Sequence, residues 1–547
     1  MDYDQILEQR FLKSLSSAED HPRWSLFRNR LHACFPVLYR SLLALYHDSF
    51  YLHQCIEELL LTLWQGVVAR PEQRYLREIS ADPSQWTVSE ESVGAVCYVD
   101  LFAGDFVRLK ERIPYLQELG INYLHLMPVF SSPAGKSDGG YAVADYRSFQ
   151  EHLGTGEDFR ELSAALQEAG IRLALDFVLN HTSDEHRWAR LARDGDPYYR
   201  KFYYIFESYA EVEAYSRNLR DIFPEVRGGS FTRREELDAW VWTTFHDYQW
   251  DLNYGNPDVF RAMVGEMIHI ANLGADVLRF DALAFLWKEP GTKCESLPLV
   301  HTLIRAMNSA MKIAAPSVQF KSEAIVHPDE VLQYIRPDEC ELSYNPLLMA
   351  LSWEALATRN PALLRRSVEK RMQIPETCAW VNYVRCHDDI GWTFDDRDAE
   401  TLGINPRGHR AFLNAFYSGT HPGSFARGVM FQQNRLTGDG RISGTCASLA
   451  GLEEAIESGD ELLQEHAVRR IILLYGIAAS IGGIPLLYLG DELGLSNHYA
   501  YLEDQHKSSD SRWINRVPFD WDLADAAERG EGIAAEVYSR VSNLFRA

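Results

Sequence analysis

Gly274-Ala-Asp-Val-Leu-Arg-Phe-Asp-Ala282 delivers an arginine and a carboxylate, Arg279 and Asp281, to the end of an apolar run. On a strand, residues two apart point to the same side. The guanidinium then lies close enough to keep the carboxylate ionised, as a carboxylate must be if it is to attack carbon. A single pair of this kind also serves as a buried structural ion pair. Three further polar clusters, however, close other apolar runs: Asp176-Phe-Val-Leu-Asn-His181, Lys321-Ser-Glu323 and His387-Asp388-Asp389. Four clusters on four runs point to one shared site.

Outward from that stretch, short apolar runs alternate with amphipathic helices. Strands are expected at Ala95–Phe102, Tyr123–Val129, Arg172–Leu179, Asp276–Ala282, Val318–Ala324, Glu341–Tyr344, Trp380–Arg385 and Pro485–Asp491. Helices are expected at Asp105–Leu119 and Glu157–Ala169, each stopped by a glycine, then around 299–313 and 327–335, and finally at Ile533–Phe545. Eight strand-helix units in order predict an α/β fold, a closed (β/α)8 TIM barrel with its chemistry at the C-terminal strand ends, where all four clusters fall. An open doubly wound sheet would carry a glycine-rich phosphate turn instead, and the sequence has none.

Residues 1–89 read as an all-helical N-terminal domain, with apolar positions at helical spacing in Ile6, Leu7, Phe11, Leu12 and Leu15 and again in Leu38, Leu42, Leu43 and Leu45. Asp82-Pro-Ser-Gln-Trp86 breaks that pattern. The barrel then occupies 90–181, 256–389 and 456–547, interrupted by inserted lobes at 182–255 and 390–455 on the catalytic face, where insertions shape access to a site.

The formal net charge of -24 argues against nucleic acid or an anionic membrane as partner, whereas a neutral substrate meets no repulsion. No run approaches the length of a membrane span. The N-terminus, Met-Asp-Tyr-Asp-Gln-Ile-Leu-Glu, carries acids where a signal peptide carries bases. Eight cysteines without C-x-x-C spacing read as free thiols of a reducing, cytoplasmic compartment.

Asp281, Glu323 and Asp388 bring three carboxylates to one mouth. Two carboxylates flanking a bond suit glycosyl transfer, one attacking the anomeric carbon while the other protonates the leaving oxygen. Glu323 is the expected acid, because it has no adjacent arginine in sequence while Asp281 has Arg279. Asp388 is then free to stabilise an oxocarbenium-like transition state, and His181 and His387 to donate to sugar hydroxyls. Zinc is the rival reading of the histidines, but no H-E-x-x-H is present, and His181 with His186 lack a third partner at suitable spacing. Tyr141, Phe245 and Phe285 lie on loops after strands, where rings stack on sugar faces or simply pack. Asp138 and Arg512 are placed to meet across the mouth. On a pocket floor, such a bridge leaves room for one sugar ring.

These motifs resemble the four signature regions of the α-amylase superfamily, glycoside hydrolase family 13. Within it, Lys136-Ser-Asp-Gly-Gly-Tyr-Ala142, Trp242-Thr-Thr-Phe-His-Asp-Tyr-Gln-Trp-Asp-Leu-Asn-Tyr254, Val384-Arg-Cys-His-Asp-Asp-Ile-Gly-Trp-Thr-Phe394 and Ser511-Arg-Trp513 are similar to the amylosucrase group. The resemblance implies Asp281 as nucleophile, Glu323 as general acid/base and Asp388 as transition-state stabiliser. His181, His387 and Arg279 would complete a glucosyl pocket with Tyr141 as platform and Asp138–Arg512 as closed end. Asp389, Arg441, Gln432 and Phe245 would line the neighbouring fructosyl or acceptor site, and Arg220 an acceptor channel.

The implied reaction is retaining transfer of glucose from sucrose to an α-1,4-glucan, without cofactor or metal, and with no calcium expected near Asn180. A sucrose hydrolase shares nearly the same pocket. A non-catalytic barrel subunit is a third class, which the presence of all three carboxylates disfavours. Two departures stand out. The C-terminal β-domain of the group is absent from this sequence, which is expected to leave an apolar barrel face bare and lower solubility. Cys386 stands where the group more often has a small hydroxyl residue, and is expected to be a packing swap. Oligomeric state is not legible.

Overall fold

The computed structural model describes residues 3–47, 49–80, 85–433 and 440–547. Eight strands close a barrel: β1 Gly94–Cys97, β2 Tyr123–Leu126, β3 Arg172–Val178, β4 Val277–Asp281, β5 Gln319–Ser322, β6 Leu342–Tyr344, β7 Ala379–Tyr383 and β8 Ile484–Tyr488. Each pairs in parallel with its neighbours in chain order, and β8 pairs with β1. The fold is thus a (β/α)8 barrel, every strand buried against interior side chains on one face and helices on the other.

Asp176 on β3 and Lys321 on β5 both stand in register with Arg279 on β4. Three charged side chains are thereby set at one level inside the barrel. The turn feeding β4 depends on Gly274, which ends the helix Pro257–Leu273 at φ 125°. A β-carbon there would lie 1.9 Å from Ser163 Oγ, so only glycine admits the turn that leads into the arginine strand.

The first strand is shorter than the sequence suggests. It stops at Cys97, and Val99–Phe102 is a helical turn closed by Phe102 N–H donating to Tyr98 O at 3.0 Å. A short apolar run does not distinguish strand from buried turn. The helix expected at 105–119 is two helices, Phe106–Glu111 and Ile113–Glu118, because Pro114 brings no N–H to the ladder and sits in the first turn of the second.

The N-terminal segment is helical over Tyr3–Leu12, Trp24–Tyr46, Leu52–Ala69 and Glu72–Ser80, with a 3-10 segment at Lys13–Ala18. The break expected at 82–86 falls on residues 82–84 outside the described set. Trp24–Tyr46 packs on the barrel helix Pro298–Ala314, and Leu52–Ala69 on Pro257–Leu273. Beneath them, Glu78 accepts from Arg70 at 2.7 Å and from Ser317 Oγ at 2.8 Å, while Arg70 donates to Ala271 O at 2.7 Å. Arg74 pairs with Asp276 at 3.0 Å. These contacts fasten the helices to the barrel under β3 and β4.

Two long segments rise from the catalytic face. In the first, Ile205–Phe206, Phe231–Arg234 and Ala239–Trp242 form a three-stranded antiparallel sheet, and Gln249–Asp251 returns antiparallel to His181–Ser183. In the second, helices Asp396–Thr401 and Pro406–Tyr417 precede an antiparallel pair, Val429–Phe431 with Arg441–Ser443. Among the described residues, no helix is long and apolar enough to cross a membrane.

The Glu78 carboxylate is fully buried together with the Arg70 head group. Glu78→Ala is therefore expected to cost about 3 to 5 kcal/mol by stranding a buried guanidinium, read as a fall of several degrees in the thermal midpoint.

Candidate active site

Arg279 is the hub of the barrel mouth. Its Nη1 donates to Asp281 Oδ1 at 2.6 Å and to Asp176 Oδ1 at 2.7 Å, and its Nη2 lies 3.3 Å from Glu323 Oε1. The pairing with Asp281 is the one the strand spacing predicts. The approach to Glu323 corrects the expectation that this residue lacks an arginine: Glu323 stands one residue past β5, whose partner across the ladder is β4, so the same guanidinium reaches both. Ala282 adopts a left-handed conformation, φ 52°, and its N–H donates to Glu323 Oε2 at 2.9 Å. A non-glycine residue held there is strained, and here the strain aims a donor at a carboxylate.

The floor is ionic. Arg512 Nη2 contacts Asp138 at 2.8 Å and Asp510 at 2.8 Å, and its Nη1 donates to Asp388 Oδ1 at 3.1 Å. Arg516 lies 3.7 Å from the same Asp388 oxygen. Tyr141 and His387 stack at 5.2 Å with planes 18° apart, and the Arg279 guanidinium stands 5.4 Å from the Tyr141 ring. His181 Nε2 contacts Tyr141 O at 3.2 Å and its ring meets Phe245 at 5.3 Å. Phe285 packs edge-on against Phe245 at 5.6 Å.

Nearer solvent, Arg441 pairs with Asp389 at 3.5 Å, Gln432 Oε1 accepts from Glu225 N–H at 2.9 Å, and Arg220 pairs with Glu295 at 2.6 Å. One cavity of about 640 Å³ is lined by every candidate the sequence singles out: Asp138, Tyr141, His181, Arg220, Phe245, Arg279, Asp281, Phe285, Glu323, His387, Asp388, Asp389, Gln432, Arg441 and Arg512. His186 is not among them; its ring nitrogen instead accepts from Trp188 N–H at the start of a helix, so it shares no ligand position with His181.

Sequence reasoning missed several contributors. Asp176 was legible as part of a cluster but only the register with Arg279 gives it a partner. Tyr344 and Tyr383 line the cavity from the ends of β6 and β7. Asp510 and Arg516 flank Arg512 and act on the floor. Close to Asn180, the buried Lys288 ammonium contacts Asp251 at 2.8 Å and Phe285 O at 2.6 Å, with Asn180 Oδ1 and Thr244 Oγ1 each at 3.5 Å. That cation ties the loop after β4 to the strand end that carries His181.

Burial pushes the carboxyls of Asp281 and Glu323 up from their ordinary range; the Glu323 charge adds to the rise at Asp281, and the Asp388 and Asp176 charges to the rise at Glu323. Arg279 opposes the rise at both, and its shorter contact, 2.6 Å to Asp281 against 3.3 Å to Glu323, favours the charge on Asp281. Asp388 behaves oppositely: burial pushes it up, but His387, Arg512 and Arg516 together hold it below its usual value. Burial pulls His181 down to about 4 and His387 to about 3, so both rings are neutral donors near neutral pH.

Because the Glu323 carboxyl titrates higher folded than unfolded, its ionised form costs stability above that folded value, and the cost fades as pH falls. Glu323→Gln is therefore expected to raise the thermal midpoint by about 1 °C near pH 7, with the gain gone by about pH 4.

The comparisons agree with this geometry. The description "Alpha amylase, catalytic domain" matches residues 10–390. A trehalose synthase of Pimelobacter sp. (strain R48) is 29% identical over 72% of this chain and 63% of its own length. One from Thermus thermophilus is 28% identical over 76% of this chain, and there the match spans 38% of the relative. The chain thus spans less than two thirds of either. The crystal structure of sucrose 6F-phosphate phosphorylase from Thermoanaerobacter thermosaccharolyticum superposes with a TM-score of 0.65 at 17% identity, covering 84% of this chain and 87% of that one, a likeness of fold. With the family match running over most of its length, the chain belongs to the α-amylase family, glycoside hydrolase family 13, the carbohydrate-active enzymes that transfer or hydrolyse glycosyl groups.

Proposed function

We propose that the chain is a retaining, amylosucrase-like glucosyltransferase that cleaves sucrose and passes glucose to an α-1,4-glucan. The observation that carries this reading is the floor: buried Arg512 ties Asp138 to Asp388 and closes the cavity below one sugar ring, directly beside the Arg279-held carboxylates. An enzyme working inside long chains needs an open cleft, whereas a closed floor suits an exo-acting site that takes a terminal glucosyl unit.

In this reading, Asp281 Oδ attacks the anomeric carbon while Glu323 gives its proton to the departing fructosyl oxygen, so that a glucosyl-Asp281 ester forms and fructose leaves. Glu323, now ionised, takes a proton from the 4-hydroxyl of the acceptor, which attacks the anomeric carbon with a second inversion and releases the Asp281 carboxylate. Asp388, held ionised by its arginines, lies opposite the developing positive charge. Segments 182–255 and 390–455 act as the lobes that deepen the pocket, residues 1–89 as a helical domain. The eight cysteines, all free, fit a reducing compartment such as the cytoplasm.

A phosphorolytic alternative would need uncompensated positive charge at the acceptor side. Among the described residues, the cations there are paired: Arg220 with Glu295 at 2.6 Å, Lys293 with Glu330 at 2.7 Å, Arg410 with Asp396 at 2.6 Å and Arg441 with Asp389 at 3.5 Å. This favours a neutral hydroxyl acceptor over phosphate. Water competes for the same ester, and a sucrose hydrolase is the second reading because the cavity opens to solvent.

Incubation with sucrose alone is expected to release fructose in excess of free glucose, with the balance in α-1,4-glucan. Equal fructose and glucose would assign a hydrolase, and no fructose would sink the sucrose reading. Asp281→Asn is expected to lower fructose release by about 10⁴-fold or more.

A further inference from the structure

The inward row of β5 is polar along its whole length: Gln319, Lys321 and then Glu323. Lys321 is completely buried, on the barrel axis below the mouth, and the steps derived above do not use it. Its Nζ lies 3.2 Å from His125 Nδ1 and 3.3 Å from Tyr344 OH. The other ring nitrogen of His125, Nε2, lies 3.1 Å from Asp176 Oδ2, and the second oxygen of Asp176 accepts from Arg279 at 2.7 Å. An unbroken chain of polar contacts therefore runs from Lys321 through His125 and Asp176 to Arg279, and from Arg279 to Asp281 at 2.6 Å.

A carboxylate only accepts, so His125 donates from Nε2 to Asp176, and its Nδ1 accepts from the Lys321 ammonium at 3.2 Å or the Tyr344 hydroxyl at 3.1 Å. Each oxygen of Asp176 is thereby fixed by a separate donor. The Arg279 fork then has a single orientation in which it reaches Asp281 and Glu323 together.

We infer that Lys321 is a positioning residue of the glucosyl site, acting through His125 and Asp176 on Arg279, and that its charge helps set the pH range in which the Asp281–Glu323 pair works. The inference rests on the glycosyl-transfer role proposed for that pair. The groups facing Lys321 are His125 and Tyr123 from β2, Asp176 from β3, Arg279 from β4, Tyr344 from β6 and Cys386 just past β7. Asp176 is the one carboxylate among those groups, and it is shared with Arg279. Burial pulls the Lys321 ammonium well below its ordinary range and Arg279 adds to that pull, while Asp176 opposes it; in its charged form, losing the ammonium leaves the site more negative. A more negative surrounding raises carboxyl pKa values, so both limbs of the activity profile move to higher pH.

The test compares the wild type with Lys321→Met, Lys321→Arg and Tyr344→Phe, measuring fructose release from sucrose across roughly pH 5 to 9. Lys321→Met is expected to lower kcat about tenfold with KM within about threefold, and to shift both limbs of kcat/KM upward by about half a unit or more. Lys321→Arg keeps the charge and is expected to restore the limbs to within a few tenths of a unit of the wild type. Tyr344→Phe removes only a hydroxyl and is expected to shift the limbs in the same direction by less, which keeps the test informative if Lys321→Met does not fold. A merely structural lysine would lower the folded fraction and leave the limbs in place, so superimposable profiles for Lys321→Met, or for Tyr344→Phe where that is the variant that folds, overturn the inference. A wild type that releases no fructose defeats the sucrose reading instead, and the same limbs are then read with 4-nitrophenyl α-glucoside, where superposition again overturns it.

Discussion

One guanidinium holds three carboxylates from three adjacent strands, and the catalytic face is built around that constraint. Arg279 can sit fully buried only because Asp176, Asp281 and Glu323 surround it, and these acids can gather only because it lies between them. Removing Arg279, Asp176 or Asp281 would strand a charge in low dielectric. The parallel register of β3, β4 and β5 sets Asp176 beside Arg279, with Asp281 and Glu323 one step further towards the mouth, and Gly274 supplies the turn that leads into β4.

Around this hub the two sides of the cavity are built differently. The inner side is closed by ion pairs that leave fixed dipoles and neutral imidazoles facing a sugar. Among the described residues, the outer side carries cations each matched with an acid, so it offers hydroxyl-binding surfaces with little net field. An ionic floor and a neutralised rim both suit the glycosyl transfer proposed above, with charge concentrated beside the Arg279-held carboxylates and withheld from the rim.

Much of the barrel was legible because buried parallel strands read as short apolar runs and glycines punctuate the helices between them; the strands at 172–178 and 277–281 sit within a residue of their expected limits. The misreadings share a cause. At 95–102, a four-residue strand passes into a buried helical turn with no change in hydrophobicity, and at 105–119, one proline divides a continuous amphipathic pattern. For the site, residues with side-chain chemistry in distinctive strings were found from sequence. Asp176, Asp510, Arg516 and Lys321 gain their significance from register or from loops meeting in space, which a linear string does not display. The supposed isolation of Glu323 from arginine failed for the same reason, since its arginine comes from the adjacent strand.

The pocket floor joins residues far apart in the chain. Asp138 and Arg512 are 374 positions apart, and Asp388 lies 124 positions before Arg512. While the polypeptide is being synthesised, the barrel's first strands leave the ribosome long before the segment that seals the cavity beneath them. A nascent or prematurely terminated product therefore carries Asp281 and its arginine without the floor of the cavity. Competence arrives late in translation, with the docking of that last arginine.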